Sequence, residues 1–261
     1  MPAFSSVSPA TALPAGVWCA GELGSTRAQT VGTGYPPLDR ALPGGGWPQG
    51  ALVEVLQPQA GLHEWGLVAP ALAAVQAAAP GKLLVLVGAP CLPFGPALGA
   101  RQLKLQRMVC VHSQGPALLW ATREALQCAD VAAVLAWLPD ARSAHLRRLQ
   151  IAAHDHGKLL FVFRPPHAQQ ESSPAPLRLL VEGAAAEAGQ LRVQVLKRRG
   201  PPLAAPLLLD SLPPRLAALL AASRERLRRR REELAPLPLP LNSPDNPVHA
   251  LLDRIAHLDH H

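Results

Sequence analysis

"LVEVLQPQAGLHEWGLVAP" (52–70) is the stretch on which the fold turns. Leu52-Val53-Glu54-Val55-Leu56 reads as a strand buried in a sheet, and the residues from about 64 onward read as a helix. Between them lies the turn Gln57-Pro58-Gln59-Ala60-Gly61-Leu62-His63-Glu64-Trp65. Nucleotide-binding proteins place a Gly-rich loop ending in Gly-Lys-Ser/Thr at such a junction, because its amides and lysine cradle phosphates. Here the lysine and hydroxyl positions fall on His63 and Glu64. The chain therefore has the strand, turn and helix of a phosphate loop without its chemistry.

Outward from this point the pattern is regular. Apolar runs of strand length recur at 83–88, 108–112, 131–137 and 159–163, separated by helix-compatible segments at about 64–79, 116–127 and 141–155. Strands apolar on both faces that alternate with helices predict an α/β fold with a mainly parallel sheet flanked by helices. Two further runs, 177–183 and 191–197, have a short Ala/Glu/Gly connection and predict an antiparallel hairpin added at the edge. Residues 1–29 are expected to form a flexible arm, 30–205 the core, and 206–261 a helical and Pro-rich C-terminal tail. That tail holds the run Arg224, Arg226, Arg228, Arg229, Arg230 and Arg231, then a Pro-rich linker (235–247). A last segment follows in which Val248, Leu251, Leu252, Ile255 and Leu258 share one helical face.

The 261 residues are 49% hydrophobic, enough for a full core, and carry a formal charge of +7, which favours an anionic partner only weakly. Cys19, Cys91, Cys110 and Cys128 form no CxxC pair and are expected to be buried, reduced thiols of a cytoplasmic protein. The N-terminus lacks the pattern of a signal peptide, and no apolar run reaches the length of a membrane span. His154-Asp155-His156 is the only compact group with metal-like chemistry. It reads as a surface helix end, so no metal and no cofactor is expected.

The segment before the opening stretch carries a resemblance. Thr33-Gly34, Leu38-Asp39-Arg40-Ala41-Leu42, Gly44-Gly45-Gly46 and Pro48-Gln49-Gly50 resemble the lead-in to a RecA-type ATPase core, and the likeness continues over about 30–205. Against that pattern the nucleotide groups are missing. His63 and Glu64 replace the phosphate-loop lysine and its neighbour, and a carboxylate there repels phosphate. Leu135 falls where the metal-orienting Asp belongs, Gly88-Ala89-Pro90 where a catalytic acid belongs, and Arg164 or Pro165 where a γ-phosphate sensor belongs. The segments that replace the DNA-gripping loops, 138–140 and 164–176, are short. The "GGGWPQGALVE" lead-in and the "VLKRRG" strand are similar to the ImuA family, accessory proteins of bacterial translesion synthesis.

The resemblance implies a non-catalytic adaptor in damage-induced (SOS) mutagenesis, working with ImuB and an error-prone C-family polymerase, with RecA and DNA as further contacts. Lys197, Arg198 and Arg199 and the 224–231 arginines are the expected contacts to nucleic acid or an acidic partner, and the 246–259 segment is the expected docking helix. The degenerate loop, Gln57, Gly61, His63 and Glu64, is expected to bind no cofactor, so function should survive changes at His63 and Glu64 but not loss of 246–259. Two alternatives stand beside this one. One is a cell-division inhibitor of the SulA kind acting on FtsZ. The other is a divergent RecA-like ATPase using groups such as Arg164.

Overall fold

The structure is a computed structural model that describes residues 29–184 and 189–233. In chain order the elements are β1 (Thr30–Val31), α1 (Pro36–Ala41), β2 (Trp47–Pro48), β3 (Ala51–Leu56), α2 (Glu64–Ala78), β4 (Leu83–Val87), α3 (Gly95–Ala100), β5 (Met108–Val111) and α4 (Pro116–Gln127). They continue with β6 (Val131–Trp137), α5 (Ser143–Asp155), β7 (Leu159–Arg164), β8 (Leu177–Gly183), β9 (Gln190–Lys197), β10 (Leu207–Asp210) and α6 (Pro214–Glu233).

Eight strands form one sheet in the order β10-β9-β8-β3-β7-β6-β4-β5. The six from β8 to β5 are parallel, which places all their carboxyl ends on one edge. Alternation along each strand sends side chains to two cores. Val53, Val55, Leu135 and Phe161 pack with Leu67 and Leu72 of α2 on one face. Leu52, Val134, Leu160 and Val162 pack with Leu126 of α4 and Leu146 and Leu149 of α5 on the other. Strands buried on both faces explain why these sequences are continuous apolar runs.

The hairpin expected at 177–183 and 191–197 is present, β9 lying antiparallel to β8. The sheet then goes one strand further than the sequence suggests. β10 pairs antiparallel with β9, Leu209 opposite Leu191, so a segment placed beyond the core at residue 205 belongs to the sheet. Prolines at 201, 202 and 206 mask this, although the run Leu207–Asp210 contains none. The chain divides into two compact units between Pro213 and Pro214, and α6 belongs to the second.

The lead-in motif is explained by packing. Thr33 is fully buried, and its amide donates to Asp39 Oδ1 (2.7 Å) while its hydroxyl caps Tyr35. Gly34 has φ +85°, and a Cβ there would lie 2.4 Å from Pro70 Cβ, so α1 can approach α2 only with glycine at this position. Gly46 faces the Val31 carbonyl at a distance that leaves no room for a side chain, which closes the two-stranded β1–β2 clamp.

The cysteines differ from expectation. Cys91 and Cys128 are exposed and Cys110 is half-buried, because Cys91 lies in the loop after β4 and Cys128 caps α4 rather than filling the core. Among the described residues no helix is long and apolar enough to cross a membrane. The expected docking residues Val248, Leu251, Leu252, Ile255 and Leu258, the Pro-rich linker and the arm over residues 1–28 lie outside the described residues.

Candidate functional site

The loop between β3 and α2 sits at the carboxyl edge of the sheet, with β3 in the middle of the parallel strands. Glu64 opens α2 and is 1% exposed. One of its carboxylate oxygens, Oε1, accepts the Gly61 amide at 2.6 Å and the Trp137 indole N–H at 2.7 Å, and it also accepts the Gln57 side-chain amide. A backbone amide and two side-chain N–H groups thus converge on one anionic oxygen at the N-terminus of a 15-residue helix, where the helix dipole favours negative charge. A phosphate loop presents several backbone amides and a lysine at this junction, whereas this cradle offers one amide, an indole and a carboxamide. The protein fills it with its own carboxylate. Sequence reasoning treats Glu64 as a group that repels phosphate; the structure makes it the internal occupant.

The other nucleotide positions are equally committed. His63 is half-buried and lies beside Gly183, where a Cβ would meet its ring at 3.2 Å. Leu135 is core. The residue of β6 that reaches the loop is Trp137, two positions further along, whose ring also stacks on Phe163 at 4.8 Å. Its indole nitrogen is the signal that sequence reading missed, since a tryptophan at the end of a buried strand needs an acceptor. Gly88 has φ +67° and is closed over by Leu118 and the Trp137 carbonyl.

Arg164 is buried and answers to a different partner. Its Nη1 lies 2.9 Å from Glu54 Oε1, and Arg178 Nε lies 2.7 Å from Glu54 Oε2. Glu171 takes the other Arg164 nitrogen at 2.8 Å, and the Arg164 guanidinium holds the Glu171 carboxyl below its ordinary range. Arg178 also donates to the Ala168 carbonyl at 2.7 Å. Glu54, a lone carboxylate in a strand buried on both faces, requires such cations. Arg164 is therefore a tie between β7 and β3 and is not directed at the loop.

The loop's surroundings are apolar. Gly61 faces Pro90 and Cys91, and the two loops that meet there expose Leu62, Leu92 and Phe94. Trp65 is half-buried against the core, while Trp120 is 65% exposed.

The basic residues lie elsewhere. Lys197 ends β9 opposite Arg178 at the start of β8, so Lys197, Arg198 and Arg199 occupy the amino edge of the sheet, the edge opposite the loop. Arg198 is half-buried, donating to the Pro201 carbonyl (2.7 Å) and to the Ala41 carbonyl, and Lys197 donates to the Ser173 carbonyl at 3.0 Å. Arg198 and Arg199 border a groove of about 1380 Å³ that also involves Gln150, His154 and the glycines of the 44–50 turn. In α6 the arginines 224, 226 and 228–231 are exposed, and Arg229 pairs with Glu225 one turn away at 3.0 Å. His154 approaches Asp155 at 3.5 Å, and no group of three possible metal ligands occurs among the described residues.

A scan against models of protein families finds none that matches, and a search of curated proteins finds no significant relative.

Proposed function

We propose that this chain is a non-catalytic, RecA-like accessory protein of damage-induced, error-prone translesion synthesis, an adaptor of the ImuA kind. It joins an ImuB-type protein to an error-prone C-family polymerase and to RecA, in the cytoplasm. The observation that carries this reading is the Glu64 carboxylate lodged among Gly61, Gln57 and Trp137 at the head of α2. A triphosphate entering this cradle would have to displace a buried anion that already satisfies its donors. The fold supports the same reading, since a mainly parallel eight-stranded sheet with the loop-bearing strand inside it is compatible with a RecA-like core. Leu62, Leu92 and Phe94, exposed around the filled cradle, suit contact with another protein better than contact with a nucleotide.

Arg164 argues against the divergent ATPase, because its guanidinium is spent on Glu54 and Glu171. The test is a pairwise pull-down of the full chain against an ImuB-type protein, RecA and FtsZ. Capture of the ImuB-type protein, lost when residues 246–261 are deleted, is the expected result. Capture of FtsZ alone would replace this reading with the division inhibitor.

A further inference from the structure

The amino edge of the sheet carries more positive charge than the Lys197-Arg198-Arg199 triplet alone. A second groove, about 430 Å³, is lined by Lys82, His156 and Lys158, and it shares Thr30 and Gln49 with the larger one. The two grooves therefore adjoin at these residues. Lys82 precedes β4, Lys158 precedes β7 and Arg198 follows β9, so the cations lie along one edge of the sheet. From β9 to β4 there are five strand intervals, which at the usual spacing is about 24 Å.

Among the described residues no Asp or Glu lines either groove. Asp155 and Asp130 stand nearby, the first beside His154 and the second beside Lys158. Lys82 donates to the Ala129 carbonyl at 2.7 Å, and Lys158 donates to the Val131 carbonyl and, at 3.4 Å, to the same Ala129 oxygen, so the two ammonium groups are neighbours held by neutral carbonyls. Burial and, after it, the Lys82 charge push the Lys158 ammonium below its ordinary range, opposed by Cys128 and Asp130. Among the described residues Arg198 and Arg199 have no carboxylate partner.

We propose that these adjoining grooves together bind the phosphodiester backbone of single-stranded nucleic acid. The site is distinct from the degenerate loop and from the short 138–140 segment, which lie at the carboxyl side of the sheet, whereas Pro174 and Pro176 of the 164–176 segment line its larger groove. Among the described residues its walls contain no tryptophan, tyrosine or phenylalanine. Recognition therefore runs through phosphates rather than stacked bases and is independent of sequence. A recessed cleft admits a flexible strand, whereas a duplex presents a wide convex cylinder. The length of the track suits on the order of four nucleotides, the low end for single-strand grooves. The inference does not rest on the translesion reading, and either can fail alone.

The experiment measures binding of a fluorescent oligothymidylate to the full chain by anisotropy over a salt series. Arg199→Ala and Lys82→Ala are made singly and together, in the wild-type background and in one with Arg224, Arg226, Arg228 and Arg229 changed to Ala. The second background separates the groove from the α6 arginines. The double variant should bind about tenfold or more weakly in both backgrounds, and its log–log salt slope should fall by about 0.7 per cation removed. His154→Glu, which places a carboxylate in the groove at a position 78% exposed, should weaken binding without lowering the melting temperature. Unchanged affinity and slope in the folded double variant would overturn the proposal. So would displacement of the oligonucleotide by poly-glutamate at equal charge concentration, which would make the groove a site for an acidic protein. Equal or tighter binding of duplex would likewise remove the single-strand assignment.

Discussion

Glu54 and Glu64 are both buried carboxylates, and they do opposite jobs. Glu54 neutralises Arg164 and Arg178 across β7, β3 and β8. Glu54→Ala leaves two guanidinium groups in the interior with one exposed partner, and should cost about 3–5 kcal/mol in a urea unfolding experiment. Glu64→Ala orphans the Gly61 amide and the Trp137 indole, so it should destabilise by about 1–3 kcal/mol in the same assay. Sequence reasoning expects function to survive a change at Glu64; the burial of Glu64 adds a cost in stability. Tyr35 offers a cleaner probe because it is the only tyrosine in the chain. Burial pushes its phenol above the ordinary 10.0, opposed by the Arg101 charge and assisted by Asp210. The native state therefore holds this proton more tightly than the unfolded chain. Its contribution to stability is full below pH 10 and is lost as pH rises through the folded value. A phenolate absorbance titration should show a midpoint above that of the denatured chain. Coincident midpoints would contradict the packing of Tyr35 under Gly66.

At the level of elements, strands and helices were legible because they are periodic or continuous in apolar residues. β3, β6 and β8 fall where the sequence puts them, and α2, α4 and α5 lie within about two residues of their expected ends. β10 was hidden by its proline-rich flanks, since proline statistics report the neighbours rather than the four residues that pair. α3 is a six-residue helix between prolines and glycines, too short for a periodic signal. The two nucleotide-motif positions were legible as losses, but what replaced them was not. A sequence can show that lysine is gone; it does not show that a carboxylate from the next residue has turned inward, because that depends on Trp137, 73 residues away. The place of β10 can be tested by truncation. A chain ending at residue 213 should melt within a degree or two of the same chain ending at 233. A chain ending at 205 exposes the β9 edge and should melt several degrees lower and aggregate more readily. Equal melting of all three would show that β10 adds nothing to the sheet.

For the core sheet as a whole, the two edges have separate characters. The carboxyl edge holds a cradle filled by Glu64 and rimmed by exposed apolar side chains, while the amino edge gathers cations along two adjoining grooves. This division follows from parallel topology, which puts all strand-to-helix turns on one side and all helix-to-strand turns on the other. It was only half visible beforehand. Lys197, Arg198 and Arg199 stand out as a run, but Lys82, His154 and Lys158 join them only once β4, α5 and β7 are aligned. The account depends most on the filled cradle. Isothermal titration of the full chain with magnesium and a non-hydrolysable ATP analogue tests it directly. The account predicts no saturable heat with the wild-type chain at millimolar nucleotide. A magnesium-dependent, one-to-one isotherm that disappears on changing Gln57 or Gly61 would contradict it.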